Sequence, residues 1–113
     1  MPPPDQPLPP AVFWILFALA GGDNHGYAIM REIRELSEGQ FEMGPATLYT
    51  NIQRLVVSQW VTEVPGPEDR DPRRRYYRIT ETGKTAFHRE MSRMESLVRK
   101  SKALRLWPAE SKS

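Results

Sequence analysis

Arginine and tyrosine crowd residues 73–80, where Arg73, Arg74, Arg75, Tyr76, Tyr77, Arg78, Ile79 and Thr80 set four guanidinium groups and two phenols into eight positions. A guanidinium stays charged at physiological pH and presents a planar fork of N–H donors that matches a phosphate. The chemistry implied is attraction of a polyanion. With a period of two, the last five residues read as a β-strand, Tyr77 and Ile79 on one face and Tyr76, Arg78 and Thr80 on the other. The first face is expected to reach the core, and Tyr76 to look outward.

A second chemistry-bearing group lies upstream. Thr47, Tyr49 and Thr50 follow Gly44-Pro45, a helix opening in which proline takes a first-turn position where its missing N–H costs nothing. Their hydroxyls, with the free N–H groups of a helix start, suit phosphate oxygens. Asn51, Gln53 and Arg54 are residue types that bond base edges. By contrast, His25 and His88 are far apart and no cysteine occurs, so no metal site is expected. Nothing pairs a nucleophile with a base or cradles a phosphate in glycines, so neither an enzyme nor a cofactor is expected.

The charge distribution agrees with a localised binding surface. The net charge of the 113 residues is +2, but residues 1–69 carry three basic and nine acidic side chains, whereas residues 70–105 carry twelve basic and four acidic. Positive potential is thus confined to one third of the chain, as in a nucleic-acid binder. The acidic first part leaves the helix after Pro45 with Arg54 alone, so attraction must come from elsewhere. For Arg73, Arg74 and Arg75 the plainer alternative is a solvated strand end partly neutralised by Glu68, Asp69 and Asp71.

These groups need elements to hold them. Residues 1–10 contain six prolines and neither lysine nor arginine, and read as a disordered lead-in without the basic start of a signal peptide. Residues 11–20 are wholly apolar, too short for the roughly 20 needed to span a membrane, and predict a buried helix. No membrane segment is expected, and the absence of cysteine suits a reducing cytoplasm. Gly21-Gly22-Asp23-Asn24 is a turn, and Ile29, Met30, Ile33 and Leu36 give a second helix over residues 26–36. His25 and Tyr27 are expected to cap and pack that helix, with Asn24 as the other candidate cap. Leu48, Ile52, Leu55 and Val56 give the third. Residues 60–64 and 75–79 read as a two-stranded hairpin with a polar, proline-rich tip, anchored by Trp60. Thr80 then caps a last helix that runs from Glu81 toward Trp107-Pro108, leaving a flexible tail over residues 108–113. The expected class is mostly α with one β-hairpin. The domain is a winged helix-turn-helix over residues 11–80, followed by a long C-terminal helix over residues 81–107.

Three stretches carry a resemblance: residues 25–29 (His-Gly-Tyr-Ala-Ile), residues 45–55 from Pro45-Ala46-Thr47-Leu48-Tyr49 to Arg54-Leu55, and residues 75–83 from Arg75-Tyr76-Tyr77-Arg78 to Thr82-Gly83. In that order they resemble the PadR family of bacterial transcriptional regulators, in its small branch with one C-terminal helix. The resemblance implies a cytoplasmic homodimeric repressor of a pseudo-palindromic DNA site, with the third helix in the major groove. Thr47, Tyr49, Thr50, Asn51, Gln53, Arg54, Arg73, Arg74, Arg75 and Tyr76 are its expected DNA contacts. Two departures stand out: Thr50 where the family often has proline, and Gln59 where it usually has glycine. The second is expected to change the angle at which the wing leaves the third helix.

Phe87, Met91, Met94 and Val98 recur at a heptad-like spacing on a last helix too long for so small a body to cover. With Phe13, Trp14 and Phe17 of the first helix they are the expected dimer interface. Some PadR-like regulators hold flat aromatic effectors between subunits. Trp14, Phe17, Met91 and Met94 are the residues here for such a ligand, against the plainer reading of dimer packing. A competing class is a winged helix whose last helix binds another protein without DNA.

Overall fold

An entirely apolar ten-residue run has no polar side to leave in water, so it becomes the post around which the other elements pack. In the computed structural model, which describes residues 6–68 and 71–106, that run is α1 (Pro10–Ala20). Its Val12, Ile15, Leu16 and Leu19 are almost fully buried, against α2 (Gly26–Leu36), α3 (Pro45–Val57), β3 (Tyr76–Ile79) and α4 (Glu81–Ala103). The stripes expected on α2 and α3 supply the facing layer: Ile29, Ile33, Leu48, Ile52 and Leu55 are all within 1% of complete burial.

The sheet has three strands rather than two, in the order β1 (Asn24–His25), β3, β2 (Val61–Val64). The added strand follows from a helix cap. His25 is the N-cap of α2, with extended dihedrals (φ −97°, ψ 166°), and its Nδ1 accepts from the Ala28 N–H at 3.4 Å. An extended N-cap aligns its own backbone with a neighbouring strand, so Asn24 and His25 pair with Tyr77 and Tyr76. Two residues show no periodicity, which is why the sequence pattern misses them. The β2–β3 pairing sets Val61 opposite Ile79, Thr62 opposite Arg78 and Glu63 opposite Tyr77.

Thr80 links the wing to α4. Its Oγ1 accepts from the Gly83 N–H at 3.1 Å and donates to the Gln59 carbonyl at 2.7 Å. Gly83 is buried against the Trp60 carbonyl, so near that a Cβ there would overlap it.

Two expected boundaries are corrected. The disordered lead-in does not extend through residues 6–10: Leu8 is buried, its N–H reaches Glu90 Oε1 at 3.4 Å, and Pro10 already belongs to α1. Residues 1–5 lie outside the described residues. The last helix stops at Ala103, short of residue 107, because Arg105 turns left-handed (φ 61°) and the Leu106 N–H bonds back to the Ser101 carbonyl. Trp107 and residues 108–113 also lie outside the described residues. Among the described residues no helix is long and apolar enough to cross a membrane.

Candidate nucleic-acid interface

Helix α3 buries one stripe and offers the rest. At 100° per residue, Leu48, Ile52 and Leu55 point to the core, which leaves Ala46, Thr50, Gln53 and Val57 along the outermost line. Tyr49 and Gln53 lean toward the wing, and Thr47, Asn51 and Arg54 lie on the other flank. All but Asn51 of the six expected α3 contacts are exposed. Asn51 is half-buried and turns its Nδ2 onto the Thr47 carbonyl at 2.9 Å, so one of its donors serves its own helix. Val57, 82% exposed on that outer line, was not among the expected contacts. An apolar residue so exposed on this helix suits a thymine methyl group.

Between α3 and the wing lies a cleft of about 500 Å³. Tyr49 and Gln53 line it from the helix, Arg73, Arg74 and Arg75 from the wing, and His25, Gly26 and Tyr27 from the start of α2. The structure thus brings part of each chemistry-bearing group of the sequence to one concavity, while Thr47, Thr50, Asn51, Arg54 and Tyr76 lie outside its lining. Tyr49 lies over Gly26, its hydroxyl occupying the place where a Cβ on that residue would stand. Tyr77 forms part of the wall and is buried, as strand parity requires. Burial pushes its phenol pKa up, and the nearby Glu63 and Tyr49 add to the effect.

The wing arginines are not equivalent. Arg73 makes a bidentate pair with Asp71, at 3.2 Å and 3.0 Å. Arg75 Nη1 reaches both Glu63 oxygens at 3.3 Å. Arg78 faces away from the cleft and binds Asp23 in a fork at 3.0 Å and 2.8 Å, which tethers β3 to the α1–α2 turn. That hydrogen bond holds the Asp23 carboxyl below the usual carboxylate range. Arg74 makes no ion pair among the described residues. The neutralising acids are thus Asp71, as expected, and Glu63, which the sequence pattern gave no reason to single out; Glu68 makes no ion pair among the described residues and Asp69 lies outside them. Tyr76 is half-buried with its ring edge-on to His25 at 5.3 Å. Burial lowers the His25 pKa, and the positive charges of Arg74 and Arg31 lower it further.

Tyr27 corrects an expectation. It does not pack; it is 67% exposed and lines both this cleft and a second one of about 420 Å³. The second cleft, bounded by Arg31, Arg34, Glu42, Gly44 and Pro45, opens at the start of α3, where Gly44 provides no side-chain cap. Arg31 and Arg34 flank that helix start, and Arg34 is paired with Glu42 at 3.7 Å.

The aromatic group is also rearranged. Phe13 and Phe87, expected at a dimer interface, are 8% exposed and stack on each other at 5.7 Å inside the protomer. Trp14 and Phe17 are half-buried and stacked at 5.9 Å, with Phe41 on the other side of Trp14 at 6.1 Å. Met91, Met94 and Val98 are exposed along α4, as is Leu97 beside them. Heptad spacing did not distinguish Phe87 from them because the first turns of α4 pack on α1 and the later ones do not.

A family model described as the transcriptional regulator PadR-like family matches residues 15–89. The chain belongs to that family. An uncharacterized protein of Lysinibacillus sphaericus is 36% identical over 70 residues, a match spanning 62% of this chain and 64% of that relative. Among solved structures, a transcriptional regulator from Clostridium thermocellum is 28% identical, covers 87% of this chain and 92% of its own, and superposes with a TM-score of 0.62. A PadR family regulator from Clostridium difficile, 21% identical, gives 0.69 with 83% and 96% covered. Bacillus subtilis PadR, solved in complex with operator DNA, is 20% identical, covers 74% of this chain and 46% of its own, and gives 0.63. These last two likenesses are of fold. They agree with a PadR winged helix carrying four helices and a small antiparallel sheet.

Proposed function

We propose that this PadR-like regulator binds double-stranded DNA as a homodimer and represses transcription from a pseudo-palindromic operator. Helix α3 enters the major groove, with Gln53 and Arg54 at base edges and Thr47, Thr50 and Tyr49 at phosphates. The β2–β3 wing lies on the adjacent backbone or minor groove through Arg74 and Arg75. The observation that carries this reading is the shared cleft, in which Tyr49 and Gln53 face Arg73, Arg74 and Arg75. A common fold with a regulator solved on its operator supports it.

The second copy is proposed to pack along Met91, Met94, Leu97 and Val98, which together expose more apolar surface than a solvated helix needs. A planar aromatic effector is proposed for the half-buried Trp14 and Phe17 with Met91 and Met94, and its binding would relieve repression. A gel-shift with the duplex upstream of the chain's own gene tests the DNA reading, and no retardation at low salt would sink it. Tryptophan fluorescence titrated with planar aromatic compounds, in wild type and Trp14→Ala, tests the effector. Equal quenching in both would remove it.

A further inference from the structure

The wing presents three arginines to the cleft, yet two are already matched. Among them the Arg75–Glu63 pair differs in kind from Arg73–Asp71. Asp71 is two residues from its partner and shapes the hairpin tip, also accepting the Arg73 backbone N–H at 2.9 Å. Glu63 comes from the opposite strand, where it pairs with Tyr77, and it lines the cleft that faces α3. Its carboxylate therefore stands on the surface offered to DNA, an unfavourable place for an anion beside phosphates. Both side chains are well exposed, 49% for Glu63 and 68% for Arg75. A pair so solvated contributes little to stability, so the fold does not need it.

We propose that Glu63 is an internal counterion: it positions Arg75 in the free protein and sets how much of the wing's DNA affinity depends on salt. The inference rests on the wing contact described above. A cation that binds phosphate strengthens binding mainly by releasing a condensed counterion from the DNA, and the observed affinity then falls with salt with a slope near −0.9 per contact. Arg75 must first leave Glu63, and the carboxylate then stands in the field of the DNA, where its charge holds back a condensed counterion that Arg75 would otherwise displace. The opposite charges of Arg75 and Glu63 nearly cancel in their effect on the counterions of the DNA, so the pair adds positioning without adding salt dependence. Arg74, with no ion pair among the described residues, adds both. Glu63 thus restrains low-salt attraction to arbitrary DNA while keeping Arg75 in place for a site that α3 also recognises.

The test is a salt series from 50 to 500 mM with two probes, a random-sequence 30-base-pair duplex and the duplex upstream of the gene. Binding is measured for wild type, Glu63→Gln, Glu63→Ala, Arg75→Ala and the Glu63→Gln/Arg75→Ala double variant, with circular dichroism confirming the fold. Glu63→Gln should steepen the slope by about one, so that its affinity gain over wild type shrinks roughly eightfold across the tenfold salt range. Arg75→Ala should make the slope shallower than wild type, because Glu63 is then unopposed, and should remove about one from the Glu63→Gln slope. Glu63→Ala should behave as Glu63→Gln, which separates charge from packing. Equal slopes in wild type and Glu63→Gln, with wild type binding DNA, overturn the inference alone. If no form binds either duplex at any salt, the DNA reading fails and takes the inference with it.

Discussion

The cleft side and the aromatic side of this molecule are finished to different degrees. On the cleft side most approaches are set within one protomer: Tyr49 rests on Gly26, Arg73 on Asp71, Arg75 on Glu63, and Thr80 fastens the wing to α4. On the aromatic side Phe13 and Phe87 are satisfied internally, but Met91, Met94, Leu97 and Val98 are left in water. A surface closed by its own ion pairs is ready for a partner that exchanges those pairs, as phosphate does. A surface of exposed methionine and leucine favours a partner that covers it. The two sides should therefore fail differently.

The widest separation is expected from Met91→Glu combined with Met94→Glu. Placing two carboxylates on the uncovered seam leaves the protomer core untouched, so thermal unfolding of the monomer should change little. If the proposed dimer forms along this seam, sedimentation should give a dimer for the wild type and a monomer for the variant. Losing the second recognition helix removes avidity worth roughly 100-fold or more, so operator affinity should drop accordingly while binding to a single half-site persists. A variant that still sediments as a dimer would mean that another surface joins the copies.

Two glycines sharpen the contrast within the cleft side itself. A Cβ on Gly83 would overlap the Trp60 carbonyl, which is backbone, and would press Ile79 Cγ1 at 2.9 Å. Gly83→Ala should therefore destabilise by about 2–3 kcal/mol, the range for overpacking a site that does not yield, and lower Tm measurably. A Cβ on Gly26 would meet only the far end of the Tyr49 side chain, which can swing away. Gly26→Ala should leave Tm within a degree or two yet weaken DNA binding, because it displaces Tyr49 from the cleft. A large drop in Tm for Gly26→Ala would show that Tyr49 is a structural residue rather than a contact.

Acid should act on the cleft side first. The folded His25 pKa is depressed, chiefly by burial and then by Arg74 and Arg31, so the unfolded chain holds the proton more readily. Its contribution is fully present above the unfolded value of about 6.5 and is lost as pH falls from there through the lower folded pKa. Protonated Nδ1 can no longer accept from the Ala28 N–H. His25→Asn keeps an acceptor at the cap and should flatten the pH dependence of unfolding below 6.5. His25→Ala should lose about 1 kcal/mol even at pH 8, as cap removal does. An acid limb of undiminished slope in His25→Asn would assign the titration to another group.

Much of this is legible in the sequence alone. The stripes of α2 and α3, the Thr80 cap and the parity of Tyr77 and Ile79 are local patterns, and local patterns persist when the chain packs. The rest depends on pairings that no spacing encodes. β1 is two residues long and exists because a cap happens to be extended. Glu63 looks like any solvated strand residue until its register opposite Tyr77 is known. Tyr27 precedes the buried stripe of α2 and is expected from the sequence to pack on that helix, whereas the first turn leaves it facing outward. Phe87 and Met91 share a heptad seam and differ only in whether α1 reaches them.

Gln59 is the finest case, because here the sequence departure and the backbone disagree. The family's glycine at this position implies a turn that only glycine makes easily, and its replacement was expected to change how the wing leaves α3. The turn is nevertheless made: Gln59 adopts φ 65°, its N–H bonds the Val56 carbonyl at 3.0 Å, and the Trp60 N–H bonds the Leu55 carbonyl at 2.9 Å. This double closure ends a helix with a left-handed residue just beyond the cap, and it seats Trp60 on Leu55. The same closure ends α2 at Glu38 and α4 at Arg105, at φ 55° and 61°. The wing's direction is thus held by Trp60 and by the Thr80 bond to the Gln59 carbonyl, and the side chain at 59 contributes strain rather than direction. Gln59→Gly should stabilise by about 0.5–1 kcal/mol, since the left-handed conformation no longer crowds a Cβ. Operator affinity should not change. A stabilised variant with altered affinity would show that the wing is not fixed by Trp60 and Thr80, and that the strained residue tunes its angle after all.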